Sequence, residues 1–145
     1  MSSNIDHDIE KYGWHAVHVF DEDGVQAPFS YSVGFEESYN HPEVAIFGLE
    51  NQLAHSILND IAKDVASSRV LGVQAPEKEI LGGDVAVQFA VAKPESHSTH
   101  FAQAKYHYGR SFRVLVMLWP DRAGLFPSQP GCEVAKLQEE ALGIV

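Results

Sequence analysis

Several polar side chains in this sequence have types and neighbours that suit binding or catalysis. Glu43 follows a proline and opens an apolar segment, so a raised pKa would let its carboxylate act as a general base, and an ionised one could bind a cation. His41 lies two residues earlier. Alternatively, the Glu43 carboxylate caps backbone amides of the turn that precedes the segment. The sequence leaves both interpretations open.

A second group lies on a segment in which apolar and small residues alternate. Residues 29–35 read FSYSVGF, so Tyr31 points to one side and Ser32 and Gly34 point to the other. Small hydroxyls and a glycine let a ligand or a neighbouring backbone approach closely. The same face would suit an edge strand turned to water, with Tyr31 as a core aromatic whose hydroxyl finds a partner.

A third group begins at Trp119, in the segment WPDRAGLFP. Trp119 and Asp121 could form the wall of a pocket beside Tyr31 and Glu43. A tight turn is the alternative, because Asp is favoured at the start of a turn and Gly, here Gly124, at its end. The candidate ligand-binding residues are therefore Tyr31, Ser32, Gly34, His41, Glu43, Tyr108, Trp119 and Asp121.

Hydrophobic periodicity predicts the strands that would position these residues. Strands are expected at residues 14–20, 29–35, 43–49, 84–92 and 112–119, with a short strand-like piece at 70–73. Segment 43–49 is apolar on both faces, which indicates an interior strand. Turns are expected at residues 21–24 and at Gly82–Gly83. In segment 84–92 the core-facing residues are expected to be Val85, Val87, Phe89 and Val91.

Two longer helices are expected to pack on the sheet. One spans residues 52–67 behind an Asn51 N-cap, and the other spans residues 96–109 and ends at Gly109. A short helix is expected before the first strand, and the chain from about residue 120 is expected to be loop-like. The sequence thus predicts one α+β domain over residues 1–145, with a mainly antiparallel sheet of about five to six strands.

Composition and charge exclude several functional classes. The net charge is −10, from 20 acidic and 10 basic residues, so the chain would repel a nucleic acid backbone. No apolar run approaches the roughly 20 residues needed to span a bilayer, and the polar N-terminal segment does not resemble a signal peptide. A single cysteine, Cys132, cannot form an internal disulfide. We expect a cytoplasmic protein with no nucleic acid or membrane partner.

The eight histidines do not predict a metal site. His15 and His18 are three apart on a strand, so they face opposite ways. His97, His100 and His107 share part of a helical face, but no carboxylate or cysteine stands among them, and zinc sites need three or four ligands. The sequence also lacks a nucleophile elbow, a Walker loop and a dinucleotide fingerprint. No metal and no cofactor are predicted.

Several segments in a fixed order resemble a known family. They are Gly13-Trp14, YSVGF from Tyr31, HPEVAIFGL from His41 and WPDRAGLFP from Trp119. This set, which covers roughly residues 13–127, resembles a bacterial family catalogued as a domain of unknown function, number 4262. The resemblance implies no activity. Ser32 departs from it, because the family usually has Thr at this position.

Two functional hypotheses follow from the sequence. The first is a binding module that recognises a small ligand or a basic protein partner, of which toxin neutralisation is one version, with carboxylates steering the partner's approach. The alternative is a small enzyme, a hydrolase or a flavin-dependent protein, with a pocket lined by Tyr31, Glu43 and Asp121 and assisted by His41 and Tyr108. The enzyme requires these five side chains to converge on one space.

Overall fold

Five strands form one mixed sheet in the computed structural model, which describes residues 2–73, 80–81 and 85–145. The spatial order is β1-β2-β3-β5-β4, and every neighbouring pair is antiparallel except β3 and β5, which run parallel. The predicted α+β class and mainly antiparallel sheet are confirmed. The strands are β1 (His15–Val19), β2 (Phe29–Val33), β3 (Glu43–Phe47), β4 (Gln88–Val91) and β5 (Val114–Leu118).

The described residues contain more helices than the two longer ones expected, and most of them are short. The predicted helix 96–109 is broken at Phe101, because the chain turns this fully buried ring into the core. The predicted N-cap Asn51 lies inside its helix, and Glu50 is the cap instead. The helices are α1 (Ser2–Tyr12), α2 (Phe35–Tyr39), α3 (Asn51–Ala66), α4 (Ser96–Thr99), α5 (Ala102–Tyr108) and α6 (Glu139–Ile144), with a 3-10 helix at Lys136–Gln138.

Helices cover both faces of the sheet and divide the core in two. Helix α3 packs its apolar stripe, which includes Leu58 and Ile61, on one face. Helices α1, α5 and α6 cover the other face, where Phe101 and Ile144 join the strand side chains. Because both faces are covered, every residue of β3 and β5 is buried, as the apolar pattern of segment 43–49 predicted.

Some local predictions are wrong. Residues 70–73 form no strand, and Val91 is 59 % exposed because β4 is the edge strand of the sheet. Val85 is 43 % exposed because it precedes β4, whereas Val87 and Phe89 are buried. The predicted Gly82–Gly83 turn lies outside the described residues. No helix in the described part of the chain is long and apolar enough to cross a bilayer.

Candidate functional site

Three other predicted site residues, Ser32, Gly34 and Tyr108, meet around the carboxylate of Glu43, at the start of β3. Ser32 Oγ donates a hydrogen bond to Glu43 Oε1 at 2.8 Å, and the Gly34 amide donates to Oε2 at 3.1 Å. The amides of Phe35 and Glu36 donate to the same carboxylate at 3.1 Å each. The Tyr108 hydroxyl, from the last turn of α5, donates to Oε2. Five donors therefore converge on one fully buried side chain.

This arrangement confirms that Glu43 caps backbone amides. The three amides belong to the first residues of α2 and its N-cap Gly34, whose φ of 123° a glycine tolerates best. Ser32 lies on β2, which is flanked by β1 and β3, so its face is not turned to water as an edge strand would be. The Glu43 group therefore joins β2, β3, α2 and α5 in the interior.

The environment of Glu43 acts on its pKa in two directions. Burial raises the pKa to about 7, and the hydrogen bonds from Tyr108, Ser32 and the backbone amides only partly oppose this effect. Burial, with the neighbouring Glu43, also raises the pKa of the Tyr108 hydroxyl. Glu43 is therefore a buried group that changes protonation near neutral pH.

The raised pKa of Glu43 gives the stability of the fold a specific pH dependence. Between the ordinary value of 4.5 and about 7, the folded protein retains a proton that the unfolded chain has released. This retained proton adds about 3 kcal/mol to the free energy of unfolding. The addition is complete below pH 4.5 and is lost as the pH rises through about 7. In urea unfolding from pH 5 to pH 8, the stability of the wild type relative to Glu43→Gln should therefore fall as the pH rises. A constant difference would contradict this pKa.

Tyr31 is a core aromatic, as the alternative interpretation proposed. Its hydroxyl accepts a hydrogen bond from the Gln103 amide at 3.2 Å, in the first turn of α5. Its ring packs edge-on against Phe101, with the ring centroids 5.1 Å apart. Burial raises the pKa of Tyr31 to about 12, so the hydroxyl stays protonated. Tyr31 and Tyr108 thus fix the two ends of α5.

His41 is also a structural residue with both ring nitrogens in use. Nδ1 lies 2.8 Å from the Pro42 carbonyl oxygen, to which it donates, and Nε2 accepts from the Leu71 amide at 3.1 Å. Burial lowers the pKa of His41 and favours the neutral ring that this pattern requires. His41 therefore holds the loop after α3 against the start of β3.

Trp119 and Asp121 lie at the opposite end of the sheet from Glu43. Glu43 pairs with Val114 at the start of β5, and the parallel strand then runs about 13 Å to Leu118 before Trp119 follows. Tyr31, Glu43 and Asp121 therefore do not line one pocket, and that prediction is wrong. The error follows from strand direction, because an antiparallel β5 would have ended beside Glu43.

The segment from Trp119 to Glu133 is held in place by turns and by side-chain hydrogen bonds to its backbone. Asp121 accepts hydrogen bonds from the amides of Ala123, Leu125 and Glu133, and the bonds from Glu133 and Leu125 lower its pKa. The tight-turn interpretation is therefore confirmed. The Trp119 backbone amide and carbonyl both bond the side chain of Gln138, which is fully buried.

A cleft that the sequence did not predict opens between α1, β1 and α3. This α3 cleft has a volume of about 550 Å³. Three aromatic side chains, among them the largely buried Trp14, contribute to its walls, and Ala62 and Ala66 leave room beside them. Its lining residues are Asp8, Tyr12, Trp14, His15, Ala16, Tyr39, His55, Asn59, Ala62, Lys63 and Ala66.

Three polar side chains of α3 line this cleft without a hydrogen bond or ion pair to any part of the chain that the structure describes. They are His55, Asn59 and Lys63, spaced four residues apart on one side of the helix. The His55 ring lies 5.6 Å from that of Trp14. The i, i+4, i+8 spacing of these three residues is visible in the sequence. The prediction of this helix uses only its apolar stripe, which identifies its buried side. Spacing alone could not tell that β1 and α1 would face these residues.

Metal binding has no support in this geometry. Among residues 2–73, 80–81 and 85–145, no group of three or more His, Cys, Asp and Glu side chains is arranged to hold an ion. His15 bonds Asp8 from one face of β1, and His18 bonds Ser30 from the other, so the two histidines are kept apart.

Comparison with known proteins identifies the family. A family model described as "Domain of unknown function (DUF4262)" matches residues 8–133. This chain belongs to the DUF4262 family. The DUF4262 match contains the whole Glu43 group and every residue lining the α3 cleft, whereas Gln138 and α6 lie beyond it. No curated protein and no solved structure matches the chain.

Proposed function

We propose that this DUF4262 domain is a ligand-binding module, and that its α3 cleft binds a small planar molecule carrying a carboxylate. The observation that carries the proposal is that the side chains of His55, Asn59 and Lys63 line the same cleft as Trp14 and have no hydrogen-bond or ion-pair partner among the described residues. Small-molecule sites combine apolar and aromatic walls with a few polar groups that fix orientation.

The shape and walls of the cleft favour a flat ligand. A volume of about 550 Å³ lies within the usual range of roughly 300–1,000 Å³ for ligand pockets. Trp14, Tyr12 and Tyr39 offer ring surfaces, and aromatic groups gain most from offset or edge-on contact with such rings. Ala62 and Ala66, on α3, line the cleft with short side chains, which leaves space for a ring to enter.

The charges in the cleft favour an anion. Asp8 is paired with His15, whose Nδ1 lies 2.6 Å from Asp8 Oδ2. Lys63 has no ion-pair partner in the described part of the chain, so its ammonium group can pair with an anionic ligand. A carboxylate beside Lys63 would pair with it, and Asn59 could donate a further hydrogen bond.

The dispersal of the predicted catalytic residues supports binding over an enzyme whose active site is built from Tyr31, His41, Glu43, Tyr108 and Asp121. Glu43 and Tyr108 are occupied with each other, His41 uses both ring nitrogens, and Asp121 holds a turn.

The single cysteine, Cys132, is consistent with the cytoplasmic location that we include in the proposal.

Replacing Lys63 with methionine should weaken binding of an aromatic carboxylate about fivefold, because it removes one partly exposed charge pair. Salicylate, indole-3-acetate and their neutral amides are suitable probes. Quenching of Trp14 emission would report binding in a Trp119→Phe background. Lys63→Met should leave the affinity for the amides unchanged. Lys105→Met, on α5, should change neither the affinity for the acids nor the affinity for the amides. Equal weakening for acid and amide would contradict the role of the charge.

Native mass spectrometry of the protein purified from its own host separates the two versions of the binding hypothesis. A bound small acid supports the proposal. A bound basic polypeptide would instead favour the partner-binding, toxin-neutralising version, in which the acidic surface steers association.

A further inference from the structure

A second cleft, on the opposite face of the sheet, contains a chain of hydrogen-bonded side chains that the binding proposal does not use. Thr99 Oγ1 lies 2.8 Å from His100 Nδ1, and His100 Nε2 lies 2.8 Å from Glu140 Oε2. The other Glu140 oxygen accepts from Gln26 Nε2 at 2.7 Å. All four residues line this His100 cleft, whose volume is about 520 Å³.

The protons in this chain can be assigned from its acceptors. An ionised Glu140 can only accept, so His100 Nε2 carries the proton between them. In the tautomer that carries its proton on Nε2, the ring has a bare Nδ1, which can accept from the Thr99 hydroxyl. The other acceptor near this hydroxyl, the Ser96 carbonyl, is farther away at 3.4 Å. The imidazole is therefore oriented to take the Thr99 proton.

The surroundings hold this orientation and provide an apolar recess. The His100 ring lies among three aromatic rings, with its centroid 5.8 Å from that of Phe29, 6.1 Å from Phe47 and 6.2 Å from Phe101. Thr99 itself is exposed at the end of α4, so a reactant can reach its hydroxyl. Other residues of the cleft are apolar, among them Val17, Val19 and Phe29.

We propose that Thr99 is an acyl-accepting nucleophile with His100 as its general base and Glu140 as a positioning residue, acting on small carboxylic esters whose acyl group enters the His100 cleft. The arrangement follows the nucleophile–base–acid relationship of hydrolytic triads with the two imidazole nitrogens exchanged. Gln26 holds the carboxylate that orients the ring.

The reaction balances with water as the only co-reactant. Thr99 Oγ1 attacks the ester carbonyl carbon while its proton passes to His100 Nδ1. The tetrahedral adduct then expels the alcohol, which takes that proton, and leaves Thr99 acylated. Water loses a proton to His100 and attacks the acyl carbon. Collapse of the second adduct releases the carboxylic acid and returns the proton to Thr99.

Acylation by 4-nitrophenyl acetate tests this proposal. The wild type should release a burst of about one equivalent of 4-nitrophenolate, and peptide mass spectrometry should locate the acetyl group on Thr99. Thr99→Ala should abolish the burst. His100→Gln should slow acylation by roughly 100-fold or more, which is the usual contribution of a general base.

Ser98→Ala is the matched control, because it removes a neighbouring hydroxyl whose one hydrogen bond within the described part of the chain is to the Glu95 carbonyl, at 3.5 Å, and it should keep the full burst. Glu140→Gln should lower kcat with KM unchanged, a split that a merely structural role would not produce. Absence of a burst in the wild type, or an equal burst in Thr99→Ala from acylated surface lysines, would overturn the proposal.

Discussion

Replacing Glu43 with alanine is expected to lower the free energy of unfolding by about 3–5 kcal/mol, because each buried donor left without an acceptor costs about 1–3 kcal/mol. The amides of Phe35 and Glu36 and the hydroxyls of Ser32 and Tyr108 lose this acceptor together, whereas the Gly34 amide keeps its 3.0 Å hydrogen bond to the Tyr108 hydroxyl. Water entering the cavity would satisfy some of them, so the costs do not simply add. Urea unfolding monitored by circular dichroism measures the effect.

Glu50→Ala provides the matched control for this prediction. Glu50 also caps a helix, accepting from the Gln52 and Leu53 amides, but it is exposed to solvent. Its loss should cost only about 1 kcal/mol, as for a typical N-cap. Glu43→Gln should also destabilise the fold, because its amide group brings two N–H donors to a position on which the Gly34, Phe35 and Glu36 amides already donate. Equal effects of Glu43→Ala and Glu50→Ala would show that the Glu43 group contributes no more than an ordinary cap.

Replacing Gly34 with alanine is expected to destabilise the protein by about 3 kcal/mol, through two effects. A Cβ at this position would lie 2.8 Å from the Gly13 carbonyl oxygen and 2.9 Å from Trp14 Cα, both of which are backbone atoms. The φ of 123° adds the strain that an L side chain suffers there. Relief would require moving the segment that carries Trp14, which lines the α3 cleft.

The control for Gly34→Ala is Gly24→Ala. Gly24 also has a positive φ, 70°, but no described atom lies within 4 Å of the position that an added methyl group would take, so only the backbone cost of about 1 kcal/mol remains. Thermal or urea unfolding of both variants gives the comparison. If Gly34→Ala were no more destabilising than Gly24→Ala, the close approach of Gly34 to the Gly13–Trp14 backbone would not be a real constraint.

The helices and strands could be predicted wherever the apolar residues of a segment followed a single helical or strand pattern. The apolar stripe containing Leu58 and Ile61 predicted α3. The continuous apolar segment from Glu43 predicted an interior strand. Prediction failed where tertiary packing overrides local pattern. The clearest case is Phe101, whose burial breaks a helix that the spacing alone would continue.

The site was predictable only in part, because its geometry depends on strand direction. Glu43, Ser32 and Gly34 are close along the chain, and the turn between them made their contact foreseeable. Asp121 was misplaced because nothing local in the sequence specifies that β5 runs parallel to β3. The polar residues of the α3 cleft were missed because an unpartnered side chain can be recognised only after its neighbours are known.

The most direct test of the ligand-binding proposal is a titration of the ¹⁵N-labelled protein with salicylate, followed by two-dimensional NMR. The proposal requires saturable shifts of the Trp14 indole N–H and of the backbone amides of His55, Asn59 and Lys63, reduced in Lys63→Met. Shifts confined to other surfaces, or no shifts at millimolar salicylate, indole-3-acetate and related aromatic acids, would contradict it.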